Sequence, residues 1–178
     1  KTNKWAAEPV TLPTGAGDML WPWIVAGDDG RVAIAWLQSK PGKPTEFSMY
    51  VAQTMNAHGT MVTCANGTKK LVPPRFTVVN ASKTPVHNGP ICLDGTACNA
   101  STSFPDGDRR LGDFYTINFD KTGRLFVVGG DTTLPNPVGG PKPVGNPIFI
   151  GATKSGPMTA RPMRTRPTRA SCTVNPLC

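Results

Sequence analysis

The segment from Ile24 to Trp36 (Ile-Val-Ala-Gly-Asp-Asp-Gly-Arg-Val-Ala-Ile-Ala-Trp) recurs in looser form from Ile117 to Val127 (Ile-Asn-Phe-Asp-Lys-Thr-Gly-Arg-Leu-Phe-Val). Each copy reads as a strand, a tight polar turn, Gly-Arg and a second strand, with a constant offset of 93 residues. A second pair follows in the same order, Met49–Thr54 against Ile148–Thr153, offset by 99 residues. Matched strand units in matched order, separated by a small change in loop length, are the mark of a duplicated structural module. A duplication constrains architecture more tightly than any local propensity, and it carries little information about chemistry.

Composition agrees with a strand-rich module. Gly and Pro contribute 19 residues each to a chain of 178, which is too many breakers for long helices and suits short strands joined by turns. Val32, Ile34 and Trp36 alternate with Ala33 and Ala35, and no window carries a sustained helical apolar face. The expected fold class is all-β. No segment approaches the roughly 18–20 apolar residues of a membrane-spanning helix. No leader opens at Lys1, so secretion would imply a leader already removed.

Strands are expected near 5–12, 22–26, 31–38, 46–54 and 73–79, and again at 114–119, 124–130 and 147–153, each bounded by Gly, Pro, Asn or Asp. The organisation that follows has five parts. Residues 1–13 close a preceding unit, 14–80 form a first four-stranded unit, 81–112 are an inserted loop, 113–153 form a second, incomplete unit, and 154–178 are a basic Pro-containing tail.

Cysteine usage points to an oxidising, extracellular setting. Cys92 and Cys98 bracket a short loop, and Cys172 and Cys178 bracket the end of the chain. Both spacings suit local disulfides, since no CxxC or nearby His completes a zinc set. Cys64 is left over, as a buried thiol or as a partner for polypeptide outside this chain. Asn66, Asn80 and Asn99 each open an N-x-S/T sequon in a turn or loop region and are the candidate glycosylation sites.

The order Gly-Asp-Asp-Gly-Arg-Val-Ala-Ile-Ala-Trp, then Met-Tyr-Val-Ala-Gln-Thr, then Phe-Thr-Val-Val resembles a blade of the sialidase-like, Asp-box (BNR-repeat) β-propellers. Thr54-Met-Asn56-Ala-His58-Gly59-Thr60-Met61 stands where the Asp-box turn belongs. It departs from that pattern: Asn56 replaces the Asp, the Gly is one place late, and Met61 replaces the aromatic residue. Thr153-Lys-Ser155-Gly156 is more degraded, and Gly107 to Phe114 resembles the opening of a blade in secreted bacterial members of the group. The resemblance spans roughly residues 5–155. It implies a partial β-propeller of about two four-stranded antiparallel blades. Propellers close with about four to eight blades, so it also implies dependence on remaining blades or other protein subunits.

Sialidases of this fold use three arginines on the substrate carboxylate, a Tyr–Glu nucleophile pair and an Asp acid. This chain has two glutamates, Glu8 and Glu46, and two tyrosines, Tyr50 and Tyr115. Tyr50 reads as sheet packing, and Arg109 and Arg110 read as ion-pair partners of Asp106 or Asp113. No catalytic residue is assigned. His58 and His87 lack ligand-spaced neighbours and read as loop residues. Asp106, Asp108 and Asp113 cluster in a Gly-containing loop, either as hard oxygen ligands for calcium or as an acidic turn paired with the neighbouring arginines. The net charge of +8 includes Lys154, Arg161, Arg164, Arg166 and Arg169 in a tail with no acidic residue. Such a tail can meet glycans or an anionic surface, and without aromatics it suits nucleic acid poorly. The expected function is that of a secreted or surface-exposed structural or binding module. The alternatives are the C-terminal piece of an exo-glycosidase of sialidase type, and a subunit of an extracellular assembly or filament.

Overall fold

A computed structural model describes residues 9–92, 111 and 115–134, and the backbone of 146–152. The described residues are all-β, in antiparallel sheets that do not close into a barrel, and contain no helix. Strands β1 (Met19–Ala26), β2 (Val32–Lys40), β3 (Lys43–Thr54) and β6 (Thr77–Asn80) form a meander in that spatial order. The short β7 (His87–Asn88) joins the same edge of β3 further along, pairing Phe47 with His87, while Tyr50–Gln53 pair with β6. Strands β8 (Thr116–Phe119), β9 (Leu125–Asp131) and β10 (Asn146–Ala152) form a second meander. The hairpin of β4 (Thr60–Thr63) and β5 (Lys69–Val72) is a separate two-stranded sheet.

The register shows why the alternating sequence folds this way. Val25, Ala33 and Gln53 lie opposite one another across β1, β2 and β3, as do Ile24, Ile34 and Ala52. Opposed residues share a face, so Ala33, Ala35 and Leu37 join Phe47, Met49 and Val51 on one side of the sheet. That side packs on Ile117, Leu125 and Val127 of the second sheet, and together with Val86, Leu111 and Tyr115 they form the core. Two meanders therefore stack face to face, and the duplicated unit is visible as three corresponding strands in each.

The reverse face of the first sheet is covered at one end by the chain's own irregular segment. Trp36 is buried, lies 6.0 Å from the Tyr50 ring, and donates its Nε1 hydrogen to Gln38 Oε1 at 2.9 Å. Gln38 in turn donates through Nε2 to the carbonyls of Thr14 and Ala16 at 2.8 and 3.1 Å. Residues 9–18 are irregular, so the expected strand over residues 5–12 is not formed in its described part. Pro9 and Pro13 lack the N–H groups that a ladder needs. Its earlier part lies outside the described residues.

The strand boundaries near 22–26, 31–38, 46–54, 114–119, 124–130 and 147–153 are met to within a few residues, and the 73–79 strand narrows to Thr77–Asn80. Two further features differ from expectation. The β4–β5 hairpin was not anticipated, and His87 is a fully buried strand residue whose Nδ1 lies 2.8 Å from Thr132 Oγ1. Cys64 at the hairpin and Cys92 are both disulfide-bonded. Cys98, Cys172 and Cys178, which complete the expected pairs, lie outside the described residues.

Tyr115 ties the sheets together. Its buried hydroxyl lies between the carbonyls of Trp21 and Ala35, 2.7 Å from the latter, and offers both a single proton. Trp21 occupies the left-handed region at φ 52°, inside the β1 bulge that falls between Leu20 and Trp23. Such a conformation is costly for a bulky residue and persists where surrounding contacts hold it. Burial pushes the Tyr115 phenol up, so it stays protonated and remains a donor. Tyr115→Phe leaves both carbonyls without that donor and should lower stability by about 1–3 kcal/mol, measured by urea denaturation; an unchanged midpoint would contradict this role.

Candidate functional site

The two meanders bring their turns to the same end of the stack, and the closing bond of each turn corresponds. Gly27 N–H donates to the Arg31 carbonyl at 3.0 Å, and Asp120 N–H donates to the Arg124 carbonyl at 2.9 Å. Gly30 and Gly123 sit at φ 80° and 79°, the left-handed region that favours glycine. The offset of 93 residues maps each of these groups onto its counterpart. The repeat is therefore one of backbone geometry as well as of residue type.

Between the turns lies a cleft of about 290 Å³, lined by Asp28, Arg31, Asn118, Phe119, Asp120 and Lys121 among others. Arg31 crosses it with a side chain that is almost wholly buried. Its Nη1 donates to the Gly123 carbonyl at 2.8 Å, its Nε donates to Asp28 Oδ1, and its guanidinium carbon lies 5.5 Å from the centre of the Phe119 ring. A Cβ on Gly123 would stand 2.6 Å from Arg31 Nη1. Glycine at 123 thus serves both the turn and the passage of the arginine.

Three of the five guanidinium N–H groups are engaged, two with the Asp28 carboxylate and one with the Gly123 carbonyl. The Arg31 hydrogen bond holds the exposed Asp28 carboxyl below its ordinary value of 3.8. Asp120 is lowered chiefly by the Thr122 hydroxyl, and also accepts from the N–H groups of Thr122 and Arg124 at 2.8 and 2.9 Å. Both carboxylates are occupied in shaping their own turns. Neither is held protonated as a general acid requires, since such an acid needs its pKa raised.

The other residues singled out from the sequence do not converge here. Glu46 pairs with Lys43, Tyr50 stacks on Trp36, and Tyr115 is spent on backbone carbonyls. His58 is exposed, with Nε2 2.8 Å from Asp29 Oδ1. Among the described residues no three His, Cys, Asp or Glu side chains are grouped to hold a metal. Asp106, Asp108, Asp113, Arg109, Arg110, Glu8, Cys98, Cys172, Cys178 and Asn99 lie outside the described residues. Asn66 is exposed at the β4–β5 tip, where its Oδ1 accepts from Thr68 N at 3.0 Å. Asn80 is half-buried in β6 and accepts from Lys83 N at 3.0 Å. The expected Asp-box turn joins β3 to β4, with Asn56 Nδ2 donating to Thr60 Oγ1 at 2.8 Å.

Arg31 was not distinguished from its turn in the sequence, although the recurring Gly-Arg pair was the signal that could have marked it. Comparison of the chain with protein-family models, curated proteins and solved structures finds no match.

Arg31→Ala should lower stability by about 2–3 kcal/mol through loss of a charge-assisted bond to a half-buried carbonyl and its ring contact. Arg31→Lys should recover little, because an ammonium cannot make the two-sided fork. In the same Arg31→Ala variant the Asp28 midpoint, followed by carbon NMR, should rise towards 3.8. The sign follows from the depressed value: the Asp28–Arg31 contribution is present above the unfolded pKa and is lost as pH falls through the lower folded one.

Proposed function

We propose that the chain is a structural or binding module of the sialidase-like propeller type, without catalysis of its own, working at an extracellular surface as part of a larger β assembly. The observation that carries this is the relation between the two meanders. They stack face to face, in chain order, with turns of matching geometry at one end and an arginine from the first gripping the second. Successive blades of a propeller stand in that relation, and a ring requires more of them. The disulfide-bonded Cys64 and Cys92 suit an oxidising compartment.

The exo-glycosidase reading would need two carboxylates flanking a sugar, one kept protonated. The carboxylates of the inter-turn cleft are committed to Arg31 and to the turn around Thr122. Calcium and glycan contacts through the acidic loop and basic tail remain subsidiary proposals on residues beyond the described ones.

A fluorogenic sialoside offered to the purified chain should not be turned over, while an apolar-surface dye should bind it strongly. Turnover that is abolished by Asp28→Asn would replace this reading with the glycosidase one. Absence of dye binding, together with a single cooperative unfolding transition, would overturn the incompleteness on which it stands.

A further inference from the structure

Two of the three N-x-S/T sequons fall on described residues, and the fold treats them differently. Asn66, Gly67 and Thr68 form the tip of the β4–β5 hairpin, and every residue from Ala65 to Leu71 is exposed. The tip is closed by Gly67 N–H donating to the Cys64 carbonyl at 2.9 Å and by Cys64 N–H donating to the Thr68 carbonyl at 2.8 Å. Asn66 Oδ1 accepts from the Thr68 N–H at 3.0 Å and from the Thr68 hydroxyl at 2.7 Å. These bonds hold the Asn66 side chain by its oxygen, and its Nδ2 donates to no group among the described residues. Gly67, at φ 79°, has open space where a Cβ would stand. The amide nitrogen therefore sits on a fixed turn with room around it.

The second sequon is built into the sheet. Asn80 ends β6 opposite Tyr50, and none of Asn80, Ala81 and Ser82 is exposed. The Ala81 and Ser82 N–H groups both donate to the Met49 carbonyl, at 2.8 and 3.3 Å. The Ser82 hydroxyl accepts from Met49 N–H at 3.1 Å and donates to the Thr84 carbonyl at 2.7 Å. Each group that defines this sequon is thus engaged in closing the turn after β6 onto β3. An N-linked glycan is bulky and hydrated and belongs on free surface, which Asn66 has and Asn80 lacks.

From this contrast we infer that Asn66 is an N-glycosylation site of this chain and that Asn80 is not. The co-reactant is an oligosaccharide carried on a polyprenyl diphosphate. Asn66 Nδ2 attacks C1 of its first sugar, and the C1–N bond forms as the C1–O bond breaks. The polyprenyl diphosphate leaves with the electron pair, and one amide proton passes to a base of the transferring enzyme. The inference rests on the extracellular part of the proposed function and adds an orientation to it. Met61 and Leu71, paired across the hairpin ladder, are 60% and 53% exposed. A glycan at the tip keeps that hairpin on the solvent side of any larger assembly.

The test is export of the full chain from a eukaryotic host behind a cleavable leader, followed by amidase release of glycans in heavy-oxygen water. That treatment converts each glycosylated Asn into a labelled Asp, which peptide mapping locates. The label should appear at Asn66 in most molecules and be absent from Asn80. Thr68→Val, at an exposed position, should abolish it, Thr68→Ser should retain it, and Asn80→Gln should leave the glycan mass unchanged. An exported chain with Cys64 and Cys92 disulfide-bonded but no label at Asn66 would overturn the inference and leave the extracellular reading standing. Unlabelled Asp at that position, formed by loss of ammonia at the Asn-Gly step, counts as the same result. Label at Asn80 in the exported chain would also overturn it. Reduced Cys64 and Cys92 after export would overturn the extracellular reading, and this inference with it.

Discussion

Arg31 is the group on which the rest of the arrangement turns. Its charge is carried by one turn, through Asp28, and its reach is satisfied by the other, through the Gly123 carbonyl. A buried guanidinium left without such partners would be strongly destabilising. The second meander must therefore present a carbonyl at that point, and a residue without a side chain must stand there. Gly27 meets the same demand from the other side, where a Cβ would come within 2.8 Å of Arg31 Cδ. Tyr115 supplies the equivalent constraint deeper in the interface, so polar contacts fix the relative placement of two sheets that apolar packing alone would leave free to slide.

Much of the fold was legible because strands with one buried face leave a period-two record. In β2 the record is sharper still, since Ala33, Ala35 and Leu37 enter the core while Trp36 and Gln38 are covered from behind. The duplication was legible because its turn needs a glycine at positive φ followed by an arginine. Chance rarely repeats that pair between two matched strands. The β4–β5 hairpin lies outside the expected strands, and its signal is the Asn66-Gly67 turn between Thr60–Thr63 and Lys69–Val72. No local pattern marks His87 as buried; Phe47 across the ladder and Thr132, 45 residues away, enclose it.

The site was less legible than the fold for a physical reason. A catalytic site announces itself by side chains that serve no purpose in packing. Among the described residues of the cleft, Asp28, Arg31 and Asp120 have structural work, and Arg31 differs from Arg124 in having a neighbouring meander as well as an aspartate three residues before it. The neighbour exists only in three dimensions, and the one trace in the sequence is Asp28 where the second turn has Lys121. Four antiparallel strands were expected over residues 14–80, and β1, β2, β3 and β6 lie in that order, with the β4–β5 hairpin set between β3 and β6 in the chain.

If Arg31 joins the two meanders into one cooperative unit, its loss must be felt on both sides of the cleft. Amide hydrogen exchange on Arg31→Ala, compared with the wild type, examines this directly. The account predicts that protection falls together in β1–β2 and in β8–β9, including positions such as Val127 that Arg31 does not touch. Loss confined to the Gly27–Arg31 turn, with β8–β9 protected as before, would contradict it.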